Sequence, residues 1–246
     1  MRKTIHFISE FDGSAQQAIL VMPDEVTGDL LPLIIVPHAA GFSAEATAAY
    51  WGNIPVKRNV IAVFPVGHSR KMPLFSLGWA GQLADLAALP FFLQKTGYPV
   101  DTKRVYGVGI SMGGLECLLL AGRHPELLSG VAAFNPVVDL QTWYYDVEDE
   151  TVKPTMTEEI GGGPEKQREE YIRRSPINFT ATISKVPVLL YWDPEDGMVQ
   201  YQSEKQSGLL YRKIIEANPD AQVEQRIHHH GHFWIRPALA LDWFFG

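Results

Sequence analysis

A serine flanked by glycines is the strongest chemical signal in this sequence. Residues 109–114 read Gly-Ile-Ser-Met-Gly-Gly, so that Ser111 stands in a G-x-S-x-G pattern. An apolar run precedes it and a helical stretch follows it, which is the strand–turn–helix context of a nucleophile elbow. Gly109 and Gly113 leave free the space that side chains would fill in so sharp a turn. A helix that begins at Met112 aims its free amides at the same point. We therefore predict that Ser111 is a nucleophile, with a plain glycine-rich turn as the alternative.

A serine hydroxyl is a poor nucleophile near neutral pH and needs a base and an orienting acid. On a strand–helix framework the expected chain order is Ser, then Asp, then His. Two carboxylates, Asp193 and Asp196, follow an apolar run, and residues 227–234 read Ile-His-His-His-Gly-His-Phe-Trp. Carboxylates just past the end of a strand lie where α/β sheets build their sites. One of these aspartates is the candidate acid, and an imidazole of the histidine-rich stretch is the candidate base.

The two aspartates differ in their neighbours. Asp193 precedes Pro194, whose ring restricts it to an extended conformation, so that Asp193 continues the strand or caps the turn. Asp196 precedes Gly197, where a sharp bend can aim the carboxylate towards the histidines. A helix predicted over residues 200–217 would anchor that bend. These neighbours favour Asp196 as the acid.

Short apolar runs without alternation recur along the chain, as in strands buried on both faces of a parallel sheet. They cover residues 33–36, 60–64, 105–109, 131–134 and 186–191. Helical stretches are predicted over residues 81–96, 112–121, 200–217 and 234–245. Residues 3–10 and 15–22 favour β-structure around an Asp-Gly turn, which predicts an antiparallel hairpin. The pattern indicates an α/β fold with a mostly parallel central sheet, an N-terminal hairpin and helices on both faces.

Residues 136–185 break the alternation because they separate two predicted strands by far more than a usual connection. They hold an aromatic run at 143–145, three glycines at 161–163 and a charged stretch at 165–174. We interpret them as a cap or lid over the strand ends, within a single domain of residues 1–246. A surface excursion with no part in the site is the alternative.

These motifs resemble the α/β-hydrolase family, and within it the prolyl-oligopeptidase-like and dienelactone-hydrolase-like serine esterases. The resemblance extends over nearly the whole chain. It implies that Asp196 is the acid, since residues 193–199 fit the G-x-x-D-x-x-V pattern with Asp193 in place of the glycine. It implies that His232 is the base, since residues 231–233 fit the G-H-x-F pattern with one residue missing.

The same resemblance supplies an oxyanion loop. The family carries an H-G-G motif after its third strand, and residues 38–41 read His-Ala-Ala-Gly at that place. By this alignment the backbone amides of Ala40 and Met112 form the oxyanion hole. We expect His38 to shape this loop rather than to act as a second base.

The resemblance implies a serine hydrolase that works through an acyl-enzyme without a cofactor. We predict that it cleaves carboxylic esters with small to medium acyl groups, since a small chain with a short lid suits small acyl groups. A peptidase or amidase of the prolyl-oligopeptidase branch is the runner-up, and a non-catalytic binding protein on the same fold is the alternative from another class. Three tryptophans, Trp79, Trp143 and Trp192, are candidates to bind the substrate. Packing in the core or the lid is the competing interpretation for each.

Other side chains that could react are assigned smaller or structural roles. Asp139 follows a predicted strand and is the runner-up acid. His228, His230 and His232 alternate, yet no His-Glu-x-x-His motif accompanies them, so we expect no metal. Cys117 stands among leucines on the helix after the elbow, and we expect a packed small hydrophobe.

Composition limits the remaining function classes. The 246 residues are 46% hydrophobic and 20% charged, which excludes a disordered chain. Lys and Arg number 21 against 28 Asp and Glu, so the net charge is −7 and the chain lacks the basic footprint of a nucleic-acid binder.

A single cysteine excludes an intrachain disulfide. No apolar run approaches the ~20 residues that span a bilayer, and the N-terminus lacks a signal-peptide core. We expect a cytoplasmic protein acting on a small-molecule ester, with no nucleic-acid or membrane partner; the oligomeric state stays open.

Overall fold

The computed structural model describes residues 1–26 and 28–246. The strands are β1 (Arg2–Ile8), β2 (Ala15–Val21), β3 (Leu31–Ile35), β4 (Ile61–Pro65), β5 (Val100–Ile110), β6 (Gly130–Phe134), β7 (Val188–Trp192) and β8 (Val223–Ile227). Within the described residues they form one eight-stranded sheet in the order β1-β2-β4-β3-β5-β6-β7-β8. β2 pairs antiparallel with both β1 and β4, and the other neighbours pair parallel. The mostly parallel sheet with an N-terminal hairpin is therefore confirmed.

Helices follow most of the strands. They are α1 (Ala44–Trp51), α2 (Ile54–Lys57), α3 (Ala80–Lys95), α4 (Met112–Arg123), α5 (Leu140–Asp146), α6 (Val152–Ile160), α7 (Arg168–Arg173), a 3-10 helix (Pro176–Phe179), α8 (Thr180–Ile183), α9 (Ser207–Ala217) and α10 (Pro237–Phe245). Among the described residues, none of these helices combines the length and apolar character that crossing a membrane requires.

The sheet is covered on both faces, because successive residues of a strand point to opposite sides. Leu33 and Ile35 of β3 belong to a core formed with α3, α4 and α9. Ile34, which lies between them, belongs to a second core formed with α1 and α10. This arrangement explains why the strands appear in the sequence as continuous apolar runs.

Two helices begin later than the sequence predicts. The predicted helix over 200–217 starts at Ser207, because Gln202 accepts the Gly208 N–H at its carbonyl and the Ser207 hydroxyl at its side chain. The predicted helix over 234–245 starts at Pro237, whose ring suits the first helical position and holds Arg236 extended.

The segment between β6 and β7 is tied to the loop that precedes α3. Glu159 at the end of α6 is fully buried, and its carboxylate accepts the backbone N–H groups of Arg70, Lys71 and Met72 at 2.7–2.8 Å. Arg174 lies 3.8 Å from Glu159 and donates to the Ser76 carbonyl. A buried carboxylate with three donors is satisfied, so this part of the segment is fixed to the main body of the fold.

Three backbone segments contact each other directly at the junction of β5 and α4, where two glycines leave no side chain between them. A Cβ on Gly109 would lie 2.3 Å from the carbonyl carbon and oxygen of Gly113. A Cβ on Gly113 would lie 2.3 Å from the carbonyl oxygen of Pro37, just after β3. The two glycines of the sequence motif are therefore required by close packing of three backbone segments.

We expect Gly109→Ala to destabilise the protein by roughly 1–3 kcal/mol or more, since overpacking forces backbone shifts. The matched control is Gly197→Ala, where a Cβ meets nothing within 4 Å and the backbone is outside the left-handed region. That change should leave the free energy of unfolding unchanged or raise it slightly. Urea denaturation of both variants measures the difference, and equal stabilities would contradict the packing argument.

Candidate active site

Ser111 occupies the single position between the end of β5 and the start of α4. Its backbone has φ 54° and ψ −121°, a conformation that costs a non-glycine residue about 1–3 kcal/mol. The Ser111 N–H donates to the Phe134 carbonyl at 2.9 Å, and the Ser111 carbonyl accepts the Leu115 N–H at 3.0 Å. These bonds hold the strained turn that the sequence motif predicts.

His232 and Asp196 are hydrogen-bonded to each other. His232 Nδ1 lies 2.7 Å from Asp196 Oδ2, and the Asp196 side chain has no solvent-exposed surface. The second carboxylate oxygen accepts the N–H groups of Met198 and Val199 at 2.8 and 2.9 Å. The carboxylate is thus held from both sides, and it holds one nitrogen of the imidazole.

The bend that carries Asp196 is anchored differently from the sequence prediction. α9 begins only at Ser207, so no helix starts near Gln200. Gln202 takes its place: it is fully buried, and its Nε2 lies 3.5 Å from Asp196 Oδ2 and 3.4 Å from the Pro136 carbonyl. A side-chain amide therefore supports the aspartate where a helix was expected.

Asp193 holds the loop of residues 228–236 between β8 and α10, which we name the histidine loop. Its Oδ1 accepts the Glu195 N–H at 2.9 Å and its Oδ2 accepts the Gly231 N–H at 2.7 Å. Burial raises the pKa of this carboxyl, but the two N–H donors together with the charges of His228 and His229 outweigh the effect of burial, and the net pKa lies below its usual 3.8. Asp193 caps the turn, as the sequence indicates, and also fixes the residue before His232.

Asn135 is a site residue that sequence reasoning missed. It follows β6 with φ 43°, its Nδ2 donates to the His232 carbonyl at 2.7 Å, and its Oδ1 accepts the Asp193 N–H at 2.9 Å. The available signal was a polar residue at the carboxyl end of a parallel strand.

The loop after β3 lies against the same cavity. Ala39 and Ala40 line it. The two ring nitrogens of His38 lie 2.8 Å from the Ala39 carbonyl oxygen and 3.0 Å from the Val66 carbonyl oxygen. His38 is buried and ties this loop to the end of β4, in keeping with the shaping role expected from the sequence.

Ser111 and His232 open into a common cavity of about 190 Å³. The walls come from the loop after β3, the loop before α3, the β6–β7 segment and the histidine loop. The lining residues are Ala39, Ala40, Phe75, Leu77, Ser111, Trp143, Asp149, Thr151, Val152, Thr155, Met156, Met198, His232 and Phe233. Trp143 is one of them, and its indole N–H donates to the Met198 carbonyl at 2.9 Å.

The other two candidate tryptophans lie away from this cavity. Trp79 precedes α3 and packs between the Phe11 ring, 5.8 Å away, and the Arg174 guanidinium, 5.1 Å away. Trp192 ends β7 and is buried in the core. Neither lines the cavity, because the sheet and the loop before α3 draw them into packing contacts.

The remaining reactive side chains serve structure. Asp139 caps α5 by accepting the Thr142 N–H and hydroxyl. Cys117 is fully buried, and burial raises the pKa of its thiol well above the usual value. The rings of His228 and His230 pack against Trp234, with ring centroids 4.4 and 5.2 Å away. Within the part of the chain that the structure describes, no group of three or more metal-ligating side chains is found.

Comparison with known proteins places this geometry in a family. The model of the prolyl oligopeptidase family matches residues 80–243. The acylamino-acid-releasing enzyme of Mus musculus is 27% identical over 253 aligned residues, which cover 91% of this chain and 34% of that protein. The chain therefore spans about a third of the length of the curated relatives that it matches.

Solved structures share the fold. An acylaminoacyl peptidase of Pyrococcus horikoshii aligns with a TM-score of 0.73 and 18% identity, over 95% of this chain and 37% of that one. A fluorophosphonate-binding serine hydrolase of Staphylococcus aureus aligns with a TM-score of 0.74 and 14% identity, over 100% of this chain and 98% of that one. The predicted α/β-hydrolase fold is thereby confirmed.

We expect Asp193→Asn to lower the melting temperature at pH 7 while largely sparing kcat. A carboxyl whose pKa is lowered in the folded state stabilises the fold at pH values above its unfolded-state pKa, here near 3.8. That stabilisation is lost as the pH falls through the folded-state pKa. The difference in melting temperature between wild type and variant should therefore narrow below pH 3.8.

Thermal unfolding at pH 7 and pH 3 measures this effect. The control is Asp220→Asn, at an exposed position, which should match the wild type at both pH values. A constant difference across the pH range would show that the Asp193 charge does not hold the loop.

Proposed function

This chain belongs to the prolyl oligopeptidase family, and we propose that it is a serine hydrolase that cleaves amide bonds in short acylated peptides. One observation carries the proposal. Ser111 and His232 line one cavity, and His232 is hydrogen-bonded to the buried carboxylate of Asp196. Acyl transfer to a serine uses a histidine base beside the nucleophile and a carboxylate that orients the histidine, and these observations support such a set.

In the proposed mechanism His232 takes the proton of Ser111 as the hydroxyl oxygen attacks the substrate carbonyl carbon. Asp196 accepts a hydrogen bond from Nδ1, which leaves Nε2 free to act as base and stabilises the imidazolium that forms. Nδ1 and the carboxylate are 2.7 Å apart, within the range of a charge-assisted hydrogen bond. His232 then protonates the leaving amine, and water hydrolyses the acyl-enzyme with the same base.

The proposed oxyanion hole consists of the amides of Ala40 and Met112. Met112 is the first residue of α4, where backbone N–H groups lack partners within the helix. Ala40 lines the cavity beside Ser111. Amides fixed by backbone packing need little reorganisation when the tetrahedral oxyanion develops, and this is the source of their catalytic effect. The proposed chemistry uses protein groups and water, without a cofactor.

An amide substrate is favoured by the relatives that carry the name acylamino-acid-releasing enzyme. The carboxylic ester predicted from the sequence is the second candidate, since a cavity of about 190 Å³ suits a small acyl group. Cleavage of an amide and cleavage of an ester both proceed through the same acyl-enzyme. We propose that Trp143 contacts the acyl part and that residues 136–185 serve as its lid.

Asp196→Asn should reduce kcat by about 10⁴ while preserving the fold, because the amide cannot select the reactive tautomer. Asp139→Asn is the matched control, since Asp139 caps α5 instead of contacting His232. The kcat and melting temperature of both variants decide the assignment. A near-normal kcat in Asp196→Asn, together with a large loss of kcat in Asp139→Asn, would show that Asp139 is the acid.

The amide proposal predicts turnover of an N-acetyl-alanine p-nitroanilide alongside the p-nitrophenyl ester of the same acyl group. p-Nitrophenyl esters of increasing chain length complete the panel and report the size of the acyl site. Ester turnover without nitroanilide turnover would replace the amide proposal with the ester.

Ser111→Ala is the control for both substrates. It should abolish covalent labelling by a fluorophosphonate and leave only a small residual rate from the oxyanion amides. Undiminished labelling of that variant would place the nucleophile elsewhere, and an unlabelled wild type would favour a non-catalytic binding protein.

A further inference from the structure

A second cavity of about 190 Å³ opens between α1 and the loop that follows β8. We name it the aromatic groove and define it by Phe42, Tyr50, Phe233, Ile235 and Ala39. Three of its rings are open to solvent, with exposed fractions of 44% for Phe42, 54% for Tyr50 and 58% for Phe233. Aromatic side chains exposed around a concave site are typical of a binding surface.

The aromatic groove adjoins the catalytic cavity. Ala39 and Phe233 line both of them. The Phe42 and Phe233 rings lie 5.7 Å apart across the groove wall. The groove therefore lies next to the position of a substrate carbonyl beside Ser111, separated from it by this exposed aromatic wall.

The groove offers carbon surface to a ligand. Its hydroxyl groups are engaged by the protein itself: Tyr50 donates to the Ile235 carbonyl at 2.8 Å, and Thr47 donates to the Ser43 carbonyl at 2.9 Å. Among the described residues that line it, none carries a charged side chain. Its volume exceeds the roughly 150 Å³ of an apolar cavity that holds benzene, so a phenyl or branched aliphatic group fits.

The position of the groove identifies which end of the substrate it meets. In acyl transfer the histidine that accepts the serine proton passes it to the leaving nitrogen as the C–N bond breaks. The leaving group therefore departs beside His232. Phe233 and Ile235, which form one wall of the groove, come one and three residues after His232 in the chain. The β6–β7 segment, with Trp143, bounds the catalytic cavity and not the groove.

We propose that the aromatic groove binds the side chain of the residue on the amine side of the scissile bond and selects a bulky apolar one. This inference rests on the proposed acyl-enzyme function and adds a specificity to it. The preferred substrate carries leucine or phenylalanine directly after the bond that is cleaved.

Two substrates test the groove: N-acetyl-alanyl-leucine amide and N-acetyl-alanyl-glycine amide, which share their acyl part. Wild-type kcat/KM should favour leucine by about tenfold or more, in line with the 10–200-fold that apolar pockets provide. Ala46→Trp fills the groove from an exposed position on α1 and should bring the ratio close to one. Ala49→Trp, on an exposed position of the same helix outside the groove, should keep the wild-type ratio.

Fluorophosphonate labelling separates this inference from the proposed function, because fluoride is too small a leaving group to use the groove. Labelling at wild-type rate in Ala46→Trp with loss of the leucine preference supports the groove. A leucine-to-glycine ratio of kcat/KM near one in the wild type, or one that Ala46→Trp leaves unchanged, overturns the specificity assigned to the groove and leaves the proposed function standing. Failure to label wild-type Ser111 overturns the function and the groove together.

If Ser111 is labelled but neither peptide is cleaved, the same preference is measured on the acyl-enzyme formed from p-nitrophenyl acetate. Leucinamide or glycinamide is added as acceptor. The amine nitrogen attacks the acyl carbon, His232 takes its proton and returns it to the departing Ser111 oxygen, and an acetylated amide forms. A product ratio that favours leucinamide and falls in Ala46→Trp supports the proposal; equal products overturn it.

Discussion

Backbone packs against backbone at the turn that carries Ser111, and the rest of the site depends on this contact. A methyl group on Gly109 or Gly113 would lie 2.3 Å from neighbouring backbone atoms. Because Gly113 faces the Pro37 carbonyl, the start of α4 and the loop after β3 have a fixed separation. The proposed oxyanion hole depends on this separation, because its two amides belong to these two segments. The positive φ of Ser111 is the conformational cost of this closeness.

Side chains at the carboxyl ends of β6 and β7 fix the other half of the site. Asn135 bridges the Asp193 N–H and the His232 carbonyl, and Asp193 accepts the N–H of Gly231. Asp196 is held by its own turn and by Gln202. The histidine is therefore oriented by bonds to its ring and to its backbone. Buried polar groups of this kind rigidify a site when every member has a partner.

The walls on the two sides of the site have different origins. On one side α6 is tied through Glu159 to three backbone N–H groups of the loop before α3, which keeps Met156 and Val152 against the cavity. On the other side α1 and the histidine loop leave aromatic rings open to solvent. The cavity beside Ser111 thus has a wall contributed by the β6–β7 segment on one side and an adjoining, open apolar groove on the other.

Local sterics explain what the sequence by itself determined. The strand–turn–helix context of Ser111, the mostly parallel sheet and the choice of Asp196 over Asp193 as the partner of His232 depend on patterns a few residues long, where glycine, proline and apolar runs have direct conformational consequences. Other features were decided only by tertiary structure. Asn135 and His232 are 97 positions apart, and Trp143 and Met198 are 55 apart, so no local pattern shows that they meet. The late start of α9 likewise follows from the buried Gln202, which bonds to its first turn and reaches the Pro136 carbonyl. Which tryptophan lines the cavity depends on how the β6–β7 segment and the loop before α3 pack, and packing is a property of the whole fold.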